Sequence, residues 1–411
     1  PGAVLAVRRM DGARAVRAYG LADVSTGMPM RPDMPMRIAS VSKPVTALAV
    51  MRLVEQGRIE LDAPVLPVLL PQLPAGTVPH AAFDRLSVRH LLAHCGGWDR
   101  TGGFDPMLQS RVMAERVGSA GPPSPGEVVA WVVSNAPDFG PGTRCEYANV
   151  GYAVLGRVIE AVTGEAYVAA VQGLVLRPAG IKGMRLAAAR PEDRLSDEPR
   201  YHDARRAPSA FQPHEPVGLA DGPVALESMD AHGGWLARAE DLVALVAALE
   251  GWAGDALLAP DTRERMLAPV WPSDGEGTFF ALGWEVDRRG RYWHGGDLPG
   301  SAALLVREPD GTVWALLANG SLHDARQPIG PLRAAQELDR SGRGAHDHVL
   351  AVEHLERGRL GDQHLGARAP RAGGLGGQPV VDRLLQPAHP AAIVGEHAVG
   401  FQHLAVLAVK G

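Results

Sequence analysis

A serine and a lysine three residues apart, Ser40 and Lys43, form the pattern with the clearest chemical potential in this chain. They stand between a turn-rich stretch, residues 28–35, and an apolar run, residues 45–54, so we predict a helix that begins at the serine. Residues three apart lie on one face of a helix, within mutual reach. A lysine of lowered pKa can make a neighbouring serine nucleophilic. The alternative is a helix-start serine beside a solvated lysine.

The use of lysine elsewhere in the chain bears on that choice. Of the 41 Lys and Arg residues, three are lysines, namely Lys43, Lys182 and Lys410. Arginine keeps its proton in proteins, whereas a buried lysine can lose it. A lysine retained at position 43 of an arginine-rich chain therefore favours proton chemistry there.

Length and composition limit the class of protein. The 411 residues can hold one large or two to three ordinary domains, and 46% hydrophobic with 21% charged residues fits a soluble globular protein. A net charge of −5 gives no reason to expect nucleic acid or a membrane as partner. The sequence contains no run of 18 or more apolar residues, so we predict no transmembrane helix. We expect a cytoplasmic location, with a periplasmic or secreted one open because the chain begins at Pro1.

The two cysteines, Cys95 and Cys145, are too few for a disulfide framework or a structural zinc set. We expect each to be a buried thiol, with a single disulfide as the alternative. The tail, residues 341–411, holds seven of the 15 histidines without tight ligand spacing. We expect a disordered or non-native tail, with metal binding as the lesser alternative.

The order of the predicted elements indicates an α/β fold of the α+β type. Two strands come first, at residues 3–7 and 13–21, and a late group of strands falls at 280–286, 291–294, 302–306 and 313–317. Helices are predicted between these groups, at 86–94 with Ser87 as cap, from Ser124, and at 150–163, 166–176, 239–249 and 260–267. A closing helix is predicted at 327–338.

This order predicts an antiparallel sheet flanked by helices, with a mostly helical insertion at about residues 60–230 of a domain spanning 1–340. Residues 99–125, rich in Gly and Pro, are expected to form a mobile loop over a pocket, and residues 186–230 are expected to be irregular. The contacts that choose a substrate are expected in these two stretches.

Two further motifs accompany the serine pattern. Tyr147-Ala148-Asn149 precedes a predicted helix, and His294-Gly295-Gly296-Asp297 ends a predicted strand. In this order, with supporting matches at residues 91–97 and 233–237, the motifs resemble the serine hydrolases of the class C β-lactamase group. That group includes penicillin-recognising enzymes, DD-peptidases, D-aminopeptidases and family VIII esterases. The resemblance covers roughly residues 1–340.

The resemblance implies a role for each motif residue. Ser40 would be the nucleophile that forms an acyl-enzyme, and Lys43 would hold or relay its proton. Tyr147 would act as the base, because a neighbouring ammonium such as Lys43 stabilises a phenolate. Asn149 would bind the substrate or Lys43, with a helix N-cap as the alternative.

On the strand motif, the resemblance implies an oxyanion hole made by the backbone N–H groups of Ser40 and Asp297. Gly295 and Gly296 would let a substrate approach the backbone, with a strand-end turn as the alternative. His294, counted among the catalytic residues, stands where the β-lactamases carry lysine. An unperturbed histidine is mostly neutral at pH 7 to 8 and would gain charge only as the pH falls toward 6.

The sequence therefore predicts a serine hydrolase that acts through an acyl-serine intermediate, most simply a carboxylesterase for small esters, without metal or organic cofactor. The alternatives are a β-lactamase, a D-amino-acid peptidase or amidase, and a non-catalytic ligand-binding homologue. The expected partner is a small-molecule ester, amide or β-lactam, and the oligomeric state is left open.

Overall fold

The computed structural model describes residues 1–320, except 103, 213–214, 253 and 274–276. The helix predicted at 327–338 and the tail at 341–411 lie outside the described residues. A mixed architecture of one large antiparallel sheet with helices confirms the predicted fold class.

The large sheet has nine strands and is built from both ends of the described chain. Its strands in spatial order are β3 (Met28–Pro29), β2 (Arg14–Asp23), β1 (Gly2–Arg8), β14 (Val313–Ala318), β13 (Ser301–Arg307), β12 (Tyr292–Leu298), β11 (Glu285–Asp287), β10 (Thr278–Phe280) and β9 (Trp271–Pro272). The first strand pairs with the last, with Ala3 opposite Ala318. Strand β12, which carries the His294 motif, thus lies inside the sheet between two partners.

Two small sheets lie outside the large one. Their strands are β4 (Met36–Arg37), β8 (Trp235–Ala237) and β5 (Arg185–Leu186) in the first, and β6 (Arg206–Pro208) and β7 (Pro216–Gly218) in the second. Pairing of β4 with β8 places Met36 opposite Ala237, and the Ile38 N–H donates to the Trp235 carbonyl at 3.0 Å. The approach to Ser40 is therefore held by a distant part of the chain.

The helices are α1 (Ser42–Glu55), α2 (Leu66–Leu69), α3 (Val88–Leu92), α4 (Ser110–Val117), α5 (Pro125–Ser134), α6 (Asn149–Thr163), α7 (Tyr167–Val171), α8 (Ala239–Leu249) and α9 (Pro260–Leu267). Helices α1 and α6 are buried along most of their length and pack against each other, while α8 packs on β1 and β14. Ser87 and Ser124 cap α3 and α5 with reciprocal hydrogen bonds, as predicted.

Three local predictions are wrong in whole or in part. The stretch 99–125 contains helix α4, which ends at Gly118 in the left-handed conformation. The strand predicted at 280–286 is two strands, β10 and β11, because the chain turns at Gly283 with φ of +93°. Helix α3 ends at Leu92 rather than at residue 94, because His94 has φ of +61° and cannot continue a helix.

Among the described residues, no single helix is long and apolar enough to cross a membrane. The bent pair formed by residues 149–163 and 167–176, with 79° between its halves, meets the same criterion of length and composition.

Candidate active site

Ser40 lies on a 3-10 turn, Ala39–Val41, directly before α1. Ala39 has φ of +47°, a left-handed conformation that is uncommon for a residue with a Cβ. Such a conformation costs on the order of 1–3 kcal/mol and persists only where the surroundings impose it. Here β4 fixes the approach and α1 fixes the exit, so Ser40 is presented on a sharp turn rather than within the predicted helix.

Lys43 is completely buried, so the solvated-lysine interpretation is wrong. Its Nζ lies 3.0 Å from Ser40 Oγ, 2.8 Å from Asn149 Oδ1 and 3.0 Å from the His232 carbonyl oxygen. Burial, followed by the charge of Arg100, lowers the pKa of Lys43 well below its ordinary value. The amine is therefore poised to accept a proton from the serine hydroxyl.

Tyr147 stands beside this pair. Its ring lies 4.4 Å from the His94 ring, centroid to centroid, and 4.8 Å from Lys43 Nζ. Loss of water around its hydroxyl raises the pKa of Tyr147 well above its ordinary value, while a hydrogen bond with Ser40 opposes that rise. The opposite shifts at Tyr147 and Lys43 favour a neutral phenol beside a neutral amine. The phenolate–ammonium pair implied by the resemblance has the same number of protons. It differs in that the proton of the Tyr147 hydroxyl is on the Lys43 amine instead.

Asn149 is the first residue of α6, and the residue that caps this helix is Ala148. The helix-cap interpretation of Asn149 is therefore wrong. Its Oδ1 accepts from Lys43, and its Nδ2 donates to Asp105 Oδ2 at 2.7 Å. The side chain thus joins the lysine to a buried carboxylate that the sequence analysis did not single out.

The glycine pair of β12 contacts the serine turn through one member only. A Cβ on Gly296 would collide with the Ile38 carbonyl oxygen and lie 3.1 Å from Ser40 N, whereas a Cβ on Gly295 would meet open space. Both glycines lie within β12, so the strand-end turn is wrong. The backbone of β12 therefore lies against the Ser40 N–H, and the exposed Asp297 follows directly. Its predicted part in the oxyanion hole stays a prediction.

His294 is buried, with 3% of its surface exposed. Its Nδ1 lies 2.7 Å from the Gly295 carbonyl oxygen. Because a carbonyl oxygen only accepts, this contact assigns the ring proton to Nδ1 and leaves Nε2 as an acceptor. Burial, then the charge of Lys43, lowers the pKa of His294 to about 3. With this lowered pKa, His294 stays neutral at pH 6, where an unperturbed histidine would gain charge.

Cys95 and Cys145 form a disulfide, so the expectation of two thiols is wrong and the alternative is confirmed. Two backbone hydrogen bonds set the segments side by side, from Gly142 N–H to the Cys95 carbonyl at 2.8 Å and from Glu146 N–H to the His94 carbonyl at 2.9 Å. The covalent link fixes the stretch that precedes Tyr147 to the end of α3.

A cavity of about 130 Å³ is lined in part by Asn149. Its walls combine aromatic and charged side chains, notably those of Trp98, Arg100, Phe104, Asp105, Arg116 and Trp131. Asn149 belongs both to this wall and to the lysine contacts. Within the described part of the chain, no group of three or more His, Cys, Asp or Glu side chains is placed to hold a metal ion.

The sequence model of the Beta-lactamase family matches residues 1–338. This chain belongs to the beta-lactamase family. Among the curated relatives of this beta-lactamase-family chain is Esterase EstB from Burkholderia gladioli, 35% identical over 249 residues, which are 56% of this chain and 56% of the esterase. The chain thus spans about half the length of that relative. Penicillin-binding protein 4 from Amycolatopsis lactamdurans is 29% identical, over 78% of this chain and 81% of that protein.

Solved structures agree with the family assignment. The D-amino acid amidase from Ochrobactrum anthropi SV3, complexed with D-phenylalanine, is 25% identical and superposes with a TM-score of 0.60. The alignment covers 78% of the beta-lactamase-family chain and 86% of the amidase. The family and the fold that the three motifs indicate are confirmed.

Proposed function

We propose that this chain is a serine hydrolase that cleaves small carboxylic esters through an acyl-Ser40 intermediate. The observation that carries the proposal is the buried Lys43 amine, 3.0 Å from the Ser40 hydroxyl and with a lowered pKa. Activation of a serine by a desolvated lysine is an established route to a nucleophile. A protein that only binds ligands has no need of such a pair, which argues against the non-catalytic alternative.

The proton path follows from the neutral resting state. As Ser40 Oγ attacks the ester carbonyl carbon, Lys43 takes the hydroxyl proton, and the negative charge moves to the carbonyl oxygen. The Ser40 and Asp297 N–H groups would stabilise this oxyanion. Tyr147 would donate its proton to the leaving alkoxide as the carbon–oxygen bond breaks, and Lys43 would return the proton to Tyr147. Water would then attack the acyl carbonyl carbon and give a proton to Lys43. Tyr147 would protonate Ser40 Oγ as the acyl–oxygen bond breaks and the acid leaves, and Lys43 would return the proton to Tyr147.

The choice of esters over β-lactams rests on His294. Penicillins and cephalosporins carry a carboxylate, and an imidazole with Nε2 as acceptor repels that group rather than binding it. The similarity to an esterase supports the same choice. The neighbouring amidase structure, with D-phenylalanine bound, supports D-amino-acid amides as the second candidate class of substrate.

A panel of p-nitrophenyl butyrate, D-phenylalanine amide and nitrocefin at pH 7.5 tests the proposal. We expect the ester to be cleaved fastest and a fluorophosphonate probe to label wild-type protein but not Ser40→Ala. Faster turnover of nitrocefin than of the ester would overturn the ester assignment. Covalent labelling of Ser40→Ala at the wild-type rate would overturn the nucleophile.

A further inference from the structure

A buried hydrogen-bonded chain runs from the loop before α4 to the nucleophile. Asn149 Nδ2 donates to Asp105 Oδ2 at 2.7 Å, Lys43 Nζ donates to Asn149 Oδ1 at 2.8 Å, and Lys43 Nζ lies 3.0 Å from Ser40 Oγ. Asp105 is 8% exposed and Asn149 4% exposed, so water does not compete for these contacts. Of the four residues joined by these hydrogen bonds, only Asp105 lies outside the motifs of the family resemblance.

The chemistry of a carboxylate gives Asp105 a definite effect on Asn149. An ionised carboxylate only accepts hydrogen bonds, whereas an amide has an accepting oxygen and a donating nitrogen. Asp105 can therefore bind only the Nδ2 end of Asn149, which turns Oδ1 toward the lysine. With the amide reversed, two donors would face each other and Lys43 would lose this partner.

Asp105 is itself held in place by its own loop. Its Oδ1 accepts from the Met107 N–H at 3.0 Å, and its Oδ2 has an ionic contact with Arg100 Nη1 at 3.8 Å. The backbone contact sets the carboxylate plane, and the long ionic contact leaves Oδ2 available to Asn149. The orientation of the Asn149 amide thus follows from the loop.

We propose that Asp105 is a positioning residue, which acts through Asn149 to hold the Lys43 amine on the Ser40 hydroxyl. The inference rests on the proposed function, because it assigns Asp105 to the same proton transfer. Asp105 has no contact with the reacting atoms in this assignment, and it works by fixing one amide and by placing one negative charge near the lysine.

The charge of Asp105 gives this role a distinct signature. Lys43 is faced by Arg100 and Asp105 from the loop before α4, and by imidazole and phenol groups elsewhere, namely those of His94, Tyr147, Tyr152, His232 and His294. The negative charge of Asp105 raises the pKa of Lys43 against the larger lowering by burial. Removing that charge lowers the pKa of Lys43 further. The acid limb of the pH–activity profile, where activity falls because Lys43 becomes protonated, therefore moves to lower pH.

The experiment compares Asp105→Asn and Asp105→Leu with Asp99→Asn. Asp99 belongs to the same loop and pairs with Arg144 Nη2 at 2.6 Å. Its variant therefore removes a contact that holds the loop, while the hydrogen bonds from Asp105 through Asn149 to Lys43 keep all their groups. For each protein, kcat and KM for p-nitrophenyl butyrate and the fluorophosphonate labelling rate are measured from pH 5 to 9, together with the thermal midpoint.

We expect Asp105→Leu to lower kcat up to about 100-fold with little change in KM, the scale of a misplaced catalytic group. Asp105→Asn keeps an acceptor, so its kcat falls less while its acid limb moves to lower pH. Asp99→Asn leaves the limb in place. If Asp105→Leu fails to fold, Asp105→Asn alone decides through its limb.

An acid limb that is unchanged in Asp105→Asn, or moved equally in Asp99→Asn, would overturn the positioning role while leaving the hydrolase intact. Wild-type protein that neither cleaves the ester nor reacts with the probe would instead overturn the proposed function, and the role of Asp105 with it.

Discussion

Two sets of residues surround Ser40 and Lys43, and they are built in different ways. One, the helix wall, consists of Arg100, Asp105, Tyr147 and Asn149, whose side chains make hydrogen bonds and carry the nearby charges. The other, the strand wall, is β12 from His294 to Asp297, which offers backbone, two glycines, a neutral imidazole and, at its end, the exposed Asp297. In the proposed mechanism, proton handling therefore belongs to the helix wall, while the strand wall supplies space and backbone contacts.

Lys43→Arg is the change with the largest expected effect, because it attacks the group that the helix wall serves. Arginine keeps the positive charge but cannot accept the proton from Ser40. We expect kcat for p-nitrophenyl butyrate to fall by at least about 100-fold, the scale of a general acid–base group. Steady-state assays of ester hydrolysis measure kcat, with circular dichroism as a control for folding. Near-wild-type turnover would show that Lys43 acts only as a fixed positive charge.

Gly296→Ala tests the strand wall by adding one methyl group. Its Cβ would collide with the Ile38 carbonyl and push β12 away from the Ser40 turn. We expect a destabilisation of about 1–3 kcal/mol, the usual effect of overpacking, and a marked loss of kcat. Gly295→Ala is the matched control for stability in chemical denaturation, because its Cβ points into open space. Equal denaturation midpoints for the two variants would contradict the close approach.

Arg100→Gln sharpens the comparison by changing the charge of the helix wall alone. Arg100 lowers the pKa of Lys43, so its removal lets that pKa rise. Because turnover needs the neutral amine, the acid limb of kcat/KM should move to higher pH, and activity near neutral pH should fall several-fold. A pH series on the ester measures the shift. A limb that moves to lower pH would show that Arg100 acts on the site in another way.

His294→Lys has the smallest expected effect, on preference rather than rate. The wild-type imidazole, with a pKa lowered to about 3, stays neutral from pH 5 to 8, so its titration should leave no limb in that range. A lysine would place a cation on the strand wall, and we expect the ratio of nitrocefin to ester turnover to rise. A wild-type profile for β-lactam turnover that climbs steeply between pH 7 and 6 would contradict the neutral assignment.

Regular patterns let the sequence predict most of the scaffold. The strands at both ends of the domain, the caps at Ser87 and Ser124, and helices α8 and α9 follow from local periodicity and capping chemistry. The turn at Gly283 was missed because its flanks are apolar on both sides, so the run resembles one buried strand.

The contacts that complete the site were less accessible. Ser40, Lys43 and Asn149 were found because their motifs are local, and the structure brings them together. Asp105 sits in an irregular stretch with no periodicity, and its partner is 44 residues away. The same holds for His94, whose ring packs against that of Tyr147, and for the His232 carbonyl oxygen, which accepts a hydrogen bond from Lys43. Distant pairing of this kind is set by the whole fold rather than by local sequence.

The disulfide between Cys95 and Cys145 has a consequence for where the protein can mature. It closes a loop between residues 50 apart in sequence, and such a closure stabilises a fold by roughly 4 kcal/mol in the chain-entropy account. The loop carries α4, α5 and the Asp105 segment, and it ends two residues before Tyr147. Since disulfides persist in oxidising compartments, we propose an exported location rather than the predicted cytoplasmic one. In a reducing cytosol Tyr147 would be held by backbone hydrogen bonds and packing alone.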